Sequence, residues 1–244
     1  YHYQDPTVLG FSHLHKSGGG CADFLDILFM PLPLNHPKGE NELYSKQYQA
    51  ALSHQEEKAE PGYYSVNLYA GQLTVELTAS RRCGLQRYRY DTGVEIPVVV
   101  DLKYGSESAC TIQTEHDVDT VYASAFEWVD SCTIRGYRFS NGWTPRQQVY
   151  FYSKFSSPIK ACALYVDDQR IKEVSSAEGR NVKALLTFEN ECGELEVRTA
   201  LSSVSMEGAA ANLQSEIEGK TFEEVRLSAS ESWSRTLGQI EIET

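Results

Sequence analysis

Gln72-Leu73-Thr74-Val75-Glu76-Leu77-Thr78-Ala79 and, beyond the polar break at Ser80-Arg81-Arg82, Leu85-Gln86-Arg87-Tyr88-Arg89-Tyr90 set the texture of this chain. Side chains two apart share a face of a strand, so Leu73, Val75 and Leu77 fall on one side and Thr74, Glu76 and Thr78 on the other. The same period recurs at 64–69, 96–102, 120–128, 132–139, 147–155, 161–166, 182–188 and 194–204, between Gly, Asp or polar turns. Ten such segments at short spacing predict packed antiparallel sheets, an all-β sandwich and not a parallel α/β fold. Residues 35–60 break the pattern: polar, with Pro37 and Gly39, they read as a long loop holding one irregular helical turn.

After Val204 the period changes. Residues 206–218 are rich in Ala, Glu, Leu and Gln and end at Gly219. Thr221 with Glu224 forms a capping box, in which each side chain satisfies an orphan amide at a helix start. Phe222, Val225, Ala229, Trp233 and Leu237 then make one apolar stripe, with Gly238 as the stop. Two terminal helices are therefore predicted, with helix confined mainly to 206–237, and both Trp128 and Trp233 are assigned to packing.

Composition limits the partners. At 244 residues the chain fits one large all-β domain or two ordinary ones, and 41% hydrophobic content marks it as globular. A net charge of −12 argues against a phosphate backbone as ligand. The densest basic patch, Arg81-Arg82 with Arg87 and Arg89, is expected to pair with the abundant acids. No run reaches the roughly 18 apolar residues of a membrane span, because Asp23 and Asp26 interrupt the best one. No nucleic acid and no membrane span are expected. The six cysteines, at 21, 83, 110, 132, 162 and 192, show no CxxC spacing and are read as buried free thiols rather than zinc or redox ligands.

One segment carries chemistry in place of pattern: Gly10-Phe11-Ser12-His13-Leu14-His15-Lys16-Ser17-Gly18-Gly19-Gly20-Cys21-Ala22-Asp23. In extended form Phe11, His13, His15 and Ser17 share a face, and three glycines then free the backbone to turn or to approach a ligand closely. Three readings of His13 and His15 stand side by side: zinc ligands lacking a clear third partner, hydrogen-bonded surface residues, or a polar wall suited to vicinal sugar hydroxyls. Asp23 and Asp26 either cap and pair locally or serve the site. Trp143, after Asn141-Gly142, is either a sugar-stacking ring or a buried strand-edge residue.

This segment resembles the Gly-Phe-Ser-His-x-His-x-Ser-Gly-x-Gly signature of the amino-terminal domain of family 92 glycoside hydrolases, the exo-acting bacterial α-mannosidases. The resemblance runs in order through Tyr1-His2-Tyr3, Asp26-Ile27-Leu28, Met30-Pro31, Ser53-His54, the run from Ala59-Glu60-Pro61-Gly62 to Val66, and Glu76-Leu77-Thr78-Ala79-Ser80-Arg81. It continues in Ile134-Arg135-Gly136-Tyr137-Arg138, Gly142-Trp143 and Gln148-Val149-Tyr150-Phe151. It implies a supersandwich over 1–205, lacking upstream strands, and a helical linker over 206–244 leading to a helical catalytic domain that this sequence does not contain.

The resemblance also implies an inverting, calcium-dependent enzyme releasing terminal mannose from N-glycan or mannan α-mannosides, in the periplasm, cell envelope or medium of a bacterium. His13, His15, Ser17, Gly18 and Gly19 would then supply one substrate-binding wall. The catalytic acid and base, and most calcium ligands, would belong to the helical domain, so no catalytic or metal residue is assigned in this chain. Inverting chemistry needs its two carboxyl groups roughly 6.5–9.5 Å apart, and no motif here matches such a pair. The chain alone is therefore expected to be inactive. Lys16, Gly19 and Gln86 depart from the family pattern and bear on substrate detail. The alternative is a non-catalytic carbohydrate-binding or interaction module.

Overall fold

The computed structural model describes residues 6–14, 26–36, 43, 48–91, 95–103, 120–142, 144–172, 174–189 and 192–240. In chain order the first strands are β1 (Thr7–Val8), β2 (Phe11–Leu14), β3 (Asp26–Pro31), β4 (Ala50–Ala51), β5 (Glu57–Glu60), β6 (Tyr63–Leu68), β7 (Leu73–Ala79), β8 (Cys83–Tyr90) and β9 (Glu95–Asp101). There follow β10 (Thr120–Asp130), β11 (Thr133–Asn141), β12 (Gln147–Phe155), β13 (Ile159–Val166), β14 (Gln169–Ile171), β15 (Ser176–Gly179), β16 (Val182–Glu189) and β17 (Glu194–Ser202). Two helices close the series, α1 (Met206–Glu216) and α2 (Phe222–Leu237).

A nine-stranded sheet in the order β15-β10-β11-β12-β17-β8-β7-β6-β5 faces a six-stranded one in the order β14-β13-β16-β9-β3-β2, and β1 pairs with β4. All the pairings are antiparallel. Alternation decides which residues meet between the layers. On β12 the inward ring of Phe155 lies 6.4 Å from Phe29 of β3 and 4.7 Å from Phe188 of β16, joining both sheets in one apolar core. Tyr90 closes the same core and donates its hydroxyl to the Leu32 carbonyl at 2.8 Å.

The helices make a third layer on the outer face of the nine-stranded sheet. Leu213, Ile217, Phe222 and Val225 bury against Cys83, Leu85 and Ala200, the outward residues of β8 and β17. Ser205 caps α1 by accepting from the Gly208 amide, and the capping box of Thr221 and Glu224 opens α2 as the sequence predicts. The arginines of β8 fasten this layer. Arg87 reaches Glu76 and Glu223 at 2.8 Å and lies over the Phe222 ring, while Arg89 pairs with Glu76 and Glu194. Burial alone would raise the Glu76 carboxyl, but hydrogen bonds from Arg87 and Tyr63 outweigh it and hold the group below its usual range.

Several expectations need correction. The apolar stripe of α2 does not stay on the sheet: Phe222 and Val225 are buried, whereas Trp233 is 50% exposed and so is not a packing residue. Residues 35–60 hold the expected irregular helical turn, a 3-10 turn at His54–Glu56, but are not otherwise wholly loop, because β4 and β5 lie within them. Of the described cysteines, Cys83 is a buried free thiol, but Cys132 and Cys162 are only partly buried and Cys192 is exposed. Burial pushes the Cys83 thiol up to about 11 and Cys162 up to about 12, so both stay protonated at neutral pH.

Candidate functional site

Of the five residues assigned to the substrate wall, His13 lies among the described residues, whereas His15, Ser17, Gly18 and Gly19 lie outside them, as do Asp23 and Trp143. What the structure shows of the signature is its two flanks, the end of β2 and the start of β3. Gly10 opens β2 at φ 149°, and a Cβ there would stand 2.7 Å from the Leu28 side chain, so the first signature position requires glycine.

His13 points inward, over Gly84 of β8. Its Nδ1 lies 2.8 Å from the Ile27 carbonyl and its Nε2 lies 3.1 Å from the Gln86 amide nitrogen. A carbonyl only accepts and an amide nitrogen only donates, so the ring carries its proton on Nδ1 and is neutral. Gln86 in turn accepts from the Tyr88 hydroxyl at 2.5 Å. Phe29 meets the imidazole edge-on at 5.0 Å between centroids. Burial lowers the His13 pKa to about 4, outweighing the Ile27 hydrogen bond, which favours the charged form. Both ring nitrogens are thus engaged inside the protein, and no zinc geometry forms around them.

Ile27, the partner of that ring, sits at φ 53°, an outlier for a β-branched side chain. Such backbone strain costs of the order of 1–3 kcal/mol and persists only where surrounding contacts over-determine it. The His13 hydrogen bond and the full burial of Ile27 supply those contacts.

Asp26, on the far flank, pairs with partners distant in the sequence. Its carboxylate accepts from Arg138 of β11 and from the Gln147 side-chain amide of β12, both across the sandwich. Asp26 and Arg138 are each 0% exposed. Arg138 also donates to the Leu102 carbonyl at 3.0 Å and to Ser140 Oγ at 3.2 Å. Sequence reasoning missed Gln86, Arg138 and Gln147 as partners of the signature. The available signal was a polar residue in an inward register: Arg138 follows Ile134 and Gly136, and Gln147 precedes Val149 and Phe151.

Among the described residues no group of three or more His, Cys, Asp or Glu could hold a metal ion, so they do not fit a calcium site. No helix among them is long and apolar enough to cross a membrane.

The neutral His13 makes a pH prediction. In the unfolded chain its pKa is near 6.5, and in the fold about 4. Below 6.5 the unfolded state therefore binds the extra proton, and stability falls with pH until about 4 is passed. This group should remove up to about 3 kcal/mol over that window, with no contribution above it. Urea unfolding of wild type and His13→Asn at pH 7 and 4.5 measures it. The wild type should lose more than the variant by that margin, and equal losses would show that the ring is charged in the fold.

The described residues thus form a large antiparallel sandwich with helices layered on one sheet and a strand on either flank of the signature, β3 being buried and strained at Ile27. The sequence profile of the glycosyl hydrolase family 92 N-terminal domain matches residues 1–202, and the chain belongs to that family. A family 92 α-mannosidase from Bacteroides thetaiotaomicron has the same fold at TM-score 0.84 and 29% identity, covering 100% of this chain and 33% of that one. A family 92 inverting mannosidase from the same species, strain VPI-5482, gives 0.72 and 26%, over 89% of this chain and 27% of that one. An uncharacterized secreted glycosidase of the fungus Arthroderma benhamiae is 25% identical over 98% of this chain and 32% of its own length. The chain thus spans about a third of the relatives it matches.

Proposed function

We propose that this domain forms one wall of a mannose-binding pocket in an inverting exo-α-mannosidase, exported from the cell and acting on N-glycan or mannan chains. The carrying observation is the double pinning of the signature: His13 fixes one flank through Gln86, and Asp26 fixes the other through Arg138 and Gln147. A wall built this way can present His15, Ser17 and the amides of Gly18 and Gly19 to sugar hydroxyls with little ordering cost at binding. His13 acts here as a positioning residue. The acid, the base and the calcium ion belong, in this reading, to the helical remainder, and α1 and α2 lead toward it. Relatives three times as long support this over a free-standing module.

The test uses the domain joined to its helical partner. His15→Ala should lower kcat/KM on α-1,2-mannobiose at least tenfold, about 1.4 kcal/mol at the transition state. The isolated chain should release no mannose even with calcium, because without a positioned proton donor a factor of roughly 10²–10⁴ is lost. Unchanged kinetics in a folded His15→Ala enzyme would remove the histidine from the pocket. Release by the isolated chain near the intact rate would place the carboxylates within it.

A further inference from the structure

The outer face of the nine-stranded sheet is only partly covered by helix. Beside α1 the outward residues of β11 and β12 form cross-strand rows, Arg135 with Tyr152 and then Tyr137 with Tyr150. Phe139 stacks on Tyr137 at 4.3 Å and 20°, meets Tyr150 edge-on at 5.2 Å, and touches Tyr122 of β10 at 6.1 Å. This aromatic shelf runs straight into a groove of about 440 Å³ between α1 and the sheet, with Arg135, Tyr152 and Lys154 as floor and Met206 and Gln214 on its wall. From the Lys154 row to the Phe139 row is six residues of strand, or about 20 Å.

We propose that this shelf and groove bind the sugar chain of a glycan on the outer face of the sheet, whereas His13 lies between the sheets. Affinity for a sugar rests on its apolar C–H face, since exchanging hydroxyl–water for hydroxyl–protein hydrogen bonds gains little. Stacked rings offer that face a flat support, and tyrosine adds a polar handle at its rim. The hydroxyls of Tyr137 and Tyr150 have no hydrogen-bond partner among the described residues. The groove then supplies planar donors: Arg135, shared with Glu127 at 2.6 Å, and the Gln214 amide, with Lys154 held by Glu218 at 3.1 Å. Protein interfaces are depleted of charge at their centres. A groove lined by Arg135, Lys154, Glu207, Glu218 and Tyr152, with charges of both signs, suits a hydroxyl-rich ligand better than an apolar helix.

The experiment is affinity electrophoresis of the 244-residue chain in gels cast with yeast α-mannan, a probe chosen because the relatives are mannosidases. The wild type should be retarded. Tyr137→Ala and Tyr150→Ala should weaken retention at least tenfold, and Tyr137→Phe, which keeps the ring, should retain most of it. Leu227→Ala, on the exposed side of α2, should leave retention unchanged, and loss confined to the tyrosine variants separates this surface from the pocket proposed above. Absence of retardation, or retention unaltered in both alanine variants with native melting, overturns the proposal. Tyrosine variants that change only sedimentation, with no mannan effect, would make the shelf a protein contact and overturn it equally.

Discussion

Replacing Arg138 with methionine should cost about 3–5 kcal/mol of folding stability, the loss typical when one partner of a buried ion pair is removed. The Asp26 carboxylate, in a site with 0% exposure, would lose its cationic partner, and the Leu102 carbonyl would lose its donor as well. Arg138→Lys restores charge but not the planar fork that serves Asp26, Leu102 and Ser140 together, so it should recover only part of the loss. In the double variant Asp26→Leu/Arg138→Met no charge is left stranded. It should be more stable than Arg138→Met alone, short of wild type by about 1–3 kcal/mol for the amide and carbonyl left unpaired. Urea unfolding at pH 7 across the cycle decides this. A single variant within 1 kcal/mol of wild type would mean that water reaches Asp26.

How far the sequence foretold the fold follows from which strands alternate. β7 puts Leu73, Val75 and Leu77 on one face and Thr74, Glu76 and Thr78 on the other, and like the period-two runs of β8, β11 and β12 it reads clearly as a strand. β3 did not, because Asp-Ile-Leu-Phe-Met-Pro is buried at all six positions and a continuous apolar run carries no period. The short edge strands β1, β4, β14 and β15 are two to four residues long, below what any pattern can reveal. The terminal helices announced themselves through caps. How far α2 stays on the sheet did not, since Trp233 fits the stripe yet lies beyond the surface that the stripe covers.

The site was legible in kind but not in contact. His13 could be singled out for its motif, whereas its role depends on Gln86, 73 residues away, and on which atom of each group donates. Asp26 and Arg138 are 112 residues apart, and nothing local links them. The basic residues of β8 were the favourable case. Abundant acids predicted pairing for the whole basic patch: Glu76, Glu194 and Glu223 take Arg87 and Arg89, Glu216 takes Arg82 just before the strand, and Arg81 makes no ion pair among the described residues.

Gly136→Ala should be as damaging as the loss of Arg138, for steric reasons alone. A Cβ at this position would stand 1.9 Å from the Ala125 carbonyl oxygen and 2.8 Å from Phe151 Cε1. The phenyl could rotate away. The carbonyl could not, because Ala125 belongs to β10, which is held by β11 on one side and by β15 on the other. Relief therefore requires displacing one strand against its neighbour over the fully packed rings of Phe126 and Phe151. Overpacking typically costs 1–3 kcal/mol, and a backbone collision puts this case at about 3 or above. Gly71 supplies the contrast: at φ 88° with nothing within 4 Å, its replacement by alanine meets only the left-handed backbone cost of about 1–2 kcal/mol. Phe151→Leu combined with Gly136→Ala removes the ring contact but not the carbonyl one, so rescue should stay under half. Thermal and urea unfolding of the three proteins test the argument. If Gly136→Ala costs no more than Gly71→Ala, β10 yields to the added methyl, and the glycine in Ile134-Arg135-Gly136-Tyr137-Arg138 is not a packing requirement.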